Sequence, residues 1–259
     1  MSQELVYTIR LKGALDARWS AVFAPLIMQP LQDETRLIGP VQDQSELFGI
    51  LLKIRDMGLE LISLFPGGNL LISPSSPFPV ITTQRLLLRE FTLSDVPVVF
   101  EYLRREDVNE WLETAPLQSM EQADARVRAR MGLFHDRMGI RWAVALRSDP
   151  ERVIGSCGFF SVRRGTQSVE TGYDLHPDYW GKGMMTEALQ AMLQFSFSEQ
   201  ELFPVHRIEA LVAPGNIASI KLLEKFGFTR EGLRREFFFW KGCYQDVLLY
   251  ALLNGQEKR

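Results

Sequence analysis

Cysteine is scarce: the 259 residues contain two, Cys157 and Cys243, far apart in the chain. That is neither a disulfide framework nor a zinc-ligand spacing, and it implies a reducing, cytoplasmic setting with no metal. Histidine is nearly as rare, with three residues, none before His135. Charge of one sign is not in excess either. There are 29 basic and 32 acidic side chains, a net charge of −3, so no global field exists to attract nucleic acid. The charge does not segregate: residues 1–80 carry 6 basic and 8 acidic side chains, the remainder 23 and 24. No basic stretch leads into an apolar one at Met-Ser-Gln-Glu-Leu, so no signal peptide is expected. No apolar run approaches the roughly 18 residues a membrane helix needs, so no membrane partner is expected. With 46% apolar residues the chain is not disordered, and it can bury the core of one large domain or two modest ones.

The strongest punctuation is Pro66-Gly-Gly-Asn-Leu-Leu-Ile-Ser-Pro-Ser-Ser-Pro-Phe-Pro79, which cannot hold a helix or an interior strand. Residues 66–80 are expected to be a linker between a domain at 1–65 and another at 81–259. The first segment reads β-α-β-β-α-β. Leu5 to Leu11 alternates with the strand period. Asp16 is placed to cap a short helix through Trp19 and Phe23. Pro25 to Gln29 and Thr35 to Ile38 suit two strands. Asp43 is placed to cap a helix with an apolar stripe at Leu47, Ile50, Leu51 and Ile54, which Gly58 ends. Leu59 to Phe65 supplies the last strand. This order suits a small ferredoxin-like α+β domain. It carries no catalytic constellation and reads as an interaction or ligand-sensing module.

The second segment mixes strands and helices. Strands are expected at 85–91, 140–146, 153–162, 168–175, 206–212, 233–240 and 244–253. Helices are expected from Ser94-Asp95, over 120–137, over 184–197 and over 217–226. The stretch with the most chemistry is Glu170-Thr-Gly-Tyr-Asp-Leu-His-Pro-Asp-Tyr-Trp-Gly-Lys-Gly-Met-Met-Thr-Glu-Ala-Leu189. A strand ends near Leu175, Pro177 breaks it, and a loop with Gly181 and Gly183 enters an amphipathic helix. Such a turn aims backbone N–H groups and the positive end of a helix dipole at one spot, the requirement for holding phosphate. It is neither a P-loop nor a Gly-x-Gly-x-x-Gly fingerprint. Taken alone, the loop serves equally well as a glycine-relaxed strand–helix turn.

Together with its surroundings, the segment resembles the GNAT acetyltransferase superfamily, and within it the ribosomal-protein-alanine N-acetyltransferase branch. Trp180-Gly181-Lys182-Gly183-Met184-Met185 falls on that family's acetyl-CoA loop, Arg/Gln-x-x-Gly-x-Gly/Ala, with Gly183 kept and Met185 in place of the small residue. Arg85-Leu-Leu-Leu-Arg89, Gly172-Tyr173, Thr186-Glu187-Ala188, Asn216-Ile-Ala-Ser219, Leu223-Glu-Lys-Phe-Gly-Phe228 and Gly242 to Asp246 match in order. The resemblance covers residues 81–253. It implies a GNAT fold, a mixed, splayed central sheet flanked by helices, after the ferredoxin-like domain. The pantetheine arm of acetyl-CoA is then expected between strands 168–175 and 206–212. The backbone of Asp174, Leu175 and His176 would pair with it. The loop Trp180, Gly181, Lys182, Gly183, Met184, Met185 and Thr186 would hold the pyrophosphate, with Lys182 and Lys221 assisting its charge, and the Asn216 side chain would touch the cofactor arm.

The implied reaction is attack of a neutral primary amine on the acetyl thioester. Glu170 is the candidate general base, with Asp174 and His176 as rivals. Ser219 is the candidate acid, because the family's helix tyrosine would fall on Leu223. Arg126, Arg128, Arg130 and Arg137 read as a solvated helix face, and Phe237 to Trp240 as buried strand. Trp111 and Trp142 could line the acceptor pocket. The acceptor expected is a protein N-terminal α-amine, a polyamine or an amino-bearing small molecule, with no nucleic acid. The alternative is a non-catalytic acyl-CoA sensor coupled to the first domain. The sequence leaves the oligomeric state open, a homodimer included.

Overall fold

The computed structural model describes residues 5–30, 33–66, 77–112, 114–136, 138–198 and 205–255. The chain divides into two compact units, residues 1–69 and 70–259.

The first unit runs β1 (Leu5–Lys12), α1 (Ser20–Phe23), β2 (Ile27–Pro30), β3 (Glu34–Val41), α2 (Gln44–Asp56) and β4 (Leu61–Pro66). Its sheet order is β2-β3-β1-β4, with every neighbouring pair antiparallel, which is the ferredoxin-like arrangement. Asp43 caps α2, accepting the Glu46 amide at 2.9 Å, while Glu46 Oε2 accepts the Gln42 amide at 2.6 Å. The α2 stripe buries Ile50 and Ile54 against Ile9, Leu11, Phe23 and Leu37. Asp16 accepts the Arg18 amide at 2.9 Å and opens a 3-10 turn ahead of the single-turn α1.

The second unit runs β5 (Ile81–Thr82), β6 (Leu86–Arg89), α3 (Val96–Leu103), α4 (Glu106–Asn109), α5 (Met120–His135), β7 (Ile140–Leu146), β8 (Asp149–Arg163), β9 (Ser168–Leu175), α6 (Met184–Ser198), β10 (Arg207–Val212), α7 (Ile217–Lys225), β11 (Thr229–Trp240) and β12 (Cys243–Leu253). Eight strands form one sheet in the order β11-β12-β10-β9-β8-β7-β6-β5. Among the described residues only β9 and β10 pair in parallel, because α6 carries the chain back between them.

Successive side chains of a strand point to opposite faces. On β9, Asp174 reaches Tyr102 of α3 and Arg130 of α5, whereas Tyr173 and Leu175 pack into the core shared with Met185 and Leu189 of α6 and Leu223 of α7. So α3 and α5 cover one face, and α6 and α7 the other. Phe237 and Phe239 are exposed rather than buried (43% and 67%), since β11 is the sheet's edge strand.

Of the expected linker, residues 67–76 lie outside the described residues. Its end is built into the second unit. Phe78 packs edge-on against Phe134 and Trp142, and the Pro79 carbonyl accepts the Trp142 indole N–H at 2.7 Å. Trp142 is therefore a fully buried core residue rather than part of a pocket. A fragment of residues 77–259 is expected to melt cooperatively. One starting at Val80 should lose about 1–3 kcal/mol with the Phe78 contacts. Thermal unfolding followed by circular dichroism compares them, and equal melting temperatures would mean that Phe78 adds nothing.

Candidate active site

Strands β9 and β10 pair only from Ser168 to Glu170 and from Arg207 to Glu209. Beyond these residues they diverge. A cleft of about 850 Å³ opens there, bounded by β9 from Glu170 to Leu175, β10 from Ala210, the loop at 181–186, Asn216 and Ser219 of α7, and Trp111, Arg126 and Arg141 on the α5 side. The direction of the main-chain groups follows from two bonds. The His176 amide donates to Ile154 O of β8 at 2.8 Å, and Gln167 O accepts from the His206 amide at 2.8 Å. Along a strand these directions alternate. The groups of Thr171, Tyr173 and Leu175 thus face the gap, and those of Asp174 and His176 face β8.

This corrects the expected pantetheine contacts. Asp174 and His176 do not offer their backbone to the gap. The His176 carbonyl is also taken, by the Tyr179 amide at 3.0 Å. Leu175 does face the gap, although its carbonyl already accepts the Trp180 indole N–H at 2.8 Å. Tyr173, missed as a site residue, presents main-chain groups to the gap. The signal was available in its parity with Leu175.

At the loop, Gly181 and Gly183 have φ of +70° and +74°, a region that costs other residues about 1–2 kcal/mol. The first helical bond of α6 runs from the Glu187 amide to Gly183 O at 3.1 Å. The amides of Met184, Met185 and Thr186 precede it and have no acceptor within the helix. These amides lie in the segment where the sequence places the phosphate cradle. The Met185 side chain turns into the core, 8% exposed, so it does not obstruct the cradle. Glu187 fixes the helix start: it accepts from the Arg85 amide at 2.8 Å and the Thr83 hydroxyl at 2.6 Å, and Arg85 donates to Lys182 O at 3.1 Å. Lys182 and Lys221 are exposed and lie outside the cleft lining; Lys182 Nζ sits over the Tyr179 ring, 5.7 Å from its centre.

Gly183→Val should weaken acetyl-CoA binding by about tenfold or more, since a branched residue resists this φ and drags the cradle amides with it. The Cβ itself would meet only Arg85, at 3.6 Å, so the effect is conformational. Calorimetric titration of the folded variant tests it, and unchanged affinity would remove the loop from the cofactor site.

Among the candidate catalysts, Glu170 lies on the cleft wall, ion-paired with Arg163, which also holds Glu209 at 2.8 Å. Ser219 lines the cleft beside Asn216, whose Oδ1 caps α7 by accepting the Ser219 amide at 3.1 Å. The Tyr173 hydroxyl is buried without a hydrogen-bond partner. Burial pushes it up to about 12, and the Ser219 hydroxyl beside it pulls the other way without closing a bond of normal geometry. An orphaned hydroxyl at the mouth of two free strand edges fits a ligand that brings its own polar atoms.

The rival bases fail on geometry. Asp174 is buried and accepts from Tyr102 (2.7 Å) on Oδ1, and from Arg130 (2.8 Å), Arg141 (2.7 Å) and Ser156 (2.7 Å) on Oδ2. Burial alone would raise its pKa, but the two guanidinium groups and the two hydroxyls lower it to about 2. It is a structural counter-ion. His176 is 4% exposed, accepts the Asp178 amide on Nδ1 at 3.2 Å, and does not line this cleft.

Residues 85–229 match the family described as the acetyltransferase (GNAT) domain, and residues 6–64 match a domain of unknown function. The chain is 31% identical over 180 residues to YoaA of Bacillus subtilis (strain 168), an uncharacterized N-acetyltransferase, covering 70% of this chain and 99% of YoaA. It is 32% identical over 129 residues to the ribosomal protein uS5-alanine N-acetyltransferase of Escherichia coli (strain K12), covering 48% and 65%. The structure of RimL, a ribosomal L7/L12 alpha-N-protein acetyltransferase in complex with coenzyme A, superposes with a TM-score of 0.61 at 21% identity, covering 68% of this chain and 98% of RimL. The family match spans more than half of the chain and includes the splayed strands and the cradle, so this protein belongs to the GNAT acetyltransferases, with a ribosomal-protein-alanine N-acetyltransferase among its relatives, and is an acetyl-CoA-dependent N-acetyltransferase.

Proposed function

We propose that the acceptor is a primary amine that reaches the thioester from the α3–α5 side of the sheet. The N-terminal α-amine of a protein, a polyamine and an amino-bearing small molecule are the candidate classes. The observation that carries this reading is the cleft itself. It continues from the cradle at α6, on one face, past the gap to Trp111 and Arg126 on the other.

Acetyl-CoA supplies the activated acetyl group. The outward amides of Met184 to Thr186 hold its phosphates, and the gap-facing groups of Tyr173 and Leu175 orient its arm. An α-amine of pKa near 8 loses about 1.4 kcal/mol to protonation at pH 7, whereas a lysine-like amine of pKa about 10.4 loses about 4.6. A base is therefore worth more to a polyamine or lysine-like acceptor than to an N-terminus. Glu170 takes this role, with its carboxylate on the cleft wall. The hydroxyls of Ser219 and Tyr173 stand on the α6–α7 side, where they can donate to the departing sulfur. The uS5-alanine relative supports the N-terminal α-amine as the first class to test.

We infer that residues 1–65 form a separate domain. Acetyl-CoA consumption over N-terminal peptides, polyamines and aminoglycosides tests the function. Release of CoA only with an amine present is expected, and tight acetyl-CoA binding without turnover of any amine would favour a sensor.

A further inference from the structure

We propose that the acceptor pocket contains an anion subsite at Arg126, so that this enzyme selects amines that also carry a carboxylate or a phosphate. This rests on the N-acetyltransferase reading of the same cleft.

The first observation is an unbalanced charge. Arg126 and Arg130 are four residues apart on α5, so they share a helix face. Arg130 and Arg141 both spend their charge on Asp174 Oδ2. Asp174 also accepts the Tyr102 and Ser156 hydroxyls, which fills it. Among the described residues Arg126 has no carboxylate partner, so one negative charge faces three guanidinium groups. Its neighbour Arg128 behaves differently: it points to solvent and pairs with Asp124 at 2.7 Å.

The second observation is where Arg126 sits. It is partly buried in the cleft wall with Trp111 and Leu133. Its charge is disfavoured by burial first and then by repulsion from Arg130, which Asp174 only partly offsets. An arginine cannot relieve this by losing its proton. A bound anion can, and a planar guanidinium offers a carboxylate or phosphate a two-point contact.

The other charges lining the cleft do not supply that anion. Asp107 is held by Arg105 at 2.7 Å, and Glu170 is held by Arg163. Glu110 is exposed and forms no ion pair with Arg126 among the described residues, and its carbonyl accepts from the Lys241 ammonium at 3.2 Å. Glu170 precedes Asp174 by four residues on the same strand face, roughly 13 Å away. Glu170, where an amine is wanted, and the unpaired guanidinium of Arg126 thus line the same cleft. The phosphates of the cofactor do not compete for Arg126. Their cradle opens α6, and α5 lies on the opposite face of the sheet.

Matched acceptors test the subsite with the full-length protein. One pair is a C-terminally amidated Ala-Asp peptide against its amidated Ala-Asn counterpart; the other is glucosamine 6-phosphate against glucosamine, with spermidine as the purely cationic control. The anionic member of at least one pair should have the higher kcat/KM, by about ten- to hundredfold. Which pair responds tells carboxylate from phosphate. In Arg126→Gln that ratio should collapse to within about twofold. A merely structural role for Arg126 would instead lower both members of the pair together. Equal ratios in wild type and variant, or a preference for spermidine, overturn the proposal. Calorimetric titration with the Ala-Asp peptide and glucosamine 6-phosphate separates the two readings. Binding that Arg126→Gln abolishes, without turnover of any amine, would sink the catalytic reading and keep the subsite. No binding and no turnover would overturn the subsite as well.

Discussion

Asp174→Asn is expected to destabilise the second unit by about 3–5 kcal/mol, because it leaves Arg130 and Arg141 buried with their counter-charge gone. For a unit of this size that corresponds to a fall in melting temperature of roughly 10 °C. The substitution preserves shape, so no cavity term contributes, and the loss measures the charge. The amide can still accept from Tyr102 or Ser156, but it cannot answer two guanidinium groups. The pH dependence provides a second check. The folded carboxyl titrates near 2, below the roughly 3.9 of an unfolded chain. A depressed folded value means that the stabilisation is complete above about pH 4 and disappears as pH falls towards 2. Wild type should therefore lose stability over that window, and the asparagine variant should lack that part of the loss. Thermal unfolding of both proteins at pH 7 and at stepped acidic values measures this. A penalty under about 1 kcal/mol at pH 7 would mean that the arginines find water or other partners, and the network would not be holding α5 to the sheet.

The same network shows where the sequence was readable and where it was not. Helix α6 and strand β9 were legible to within a residue, because apolar spacing in 184–197 and alternation in 168–175 are local patterns. The splay of β9 from β10 followed from the family resemblance, and the glycine turn before α6 from Pro177, Gly181 and Gly183 themselves; both are present. Strand β5 and helix α4, with two and four residues, are too short to show a period. The roles of Asp174 and His176 were misread for a different reason. Whether a strand residue offers its backbone to one neighbour or the other depends on which strand lies on each side. Here that is decided by β8, more than a dozen residues earlier in the chain. The arginines of α5 were read as one solvated face. Only Arg128 behaves that way, whereas Arg130 is buried and Arg126 partly so; Arg137 lies outside the described residues. Residues 102, 130, 141 and 174 converge only once α3, α5, β7 and β9 are packed, and no local pattern encodes that. The exposed Phe237 and Phe239 make the same point in reverse: strand propensity was visible, but edge position was not.

Glu170→Gln should lower the rate with an amine acceptor by roughly 10²–10⁴ near neutral pH while leaving acetyl-CoA affinity intact. The substitution keeps size and strand fit and removes only the ability to take a proton. Raising the pH should restore much of the rate, because solution then supplies neutral amine, and the recovery should be easier for an α-amine than for a lysine-like one. The ion pair with Arg163 raises a competing explanation, that Glu170 matters only as an anchor for the β8–β9 edge. Arg163→Ala distinguishes the two. It breaks the same pair but leaves the carboxylate in the cleft, and Glu209 still has Arg207 as a partner at 2.8 Å. If Glu170 is the base, Arg163→Ala should retain most of the rate while Glu170→Gln loses it. If the pair itself is what matters, both variants should fall together, and neither should recover at high pH. A Glu170→Gln enzyme that runs at nearly wild-type rate at pH 7 would remove Glu170 from the chemistry. Asp174 and His176 cannot take its place, since one is saturated and the other faces away. The acceptor would then have to arrive already neutral, which an N-terminal α-amine does far more readily than a polyamine.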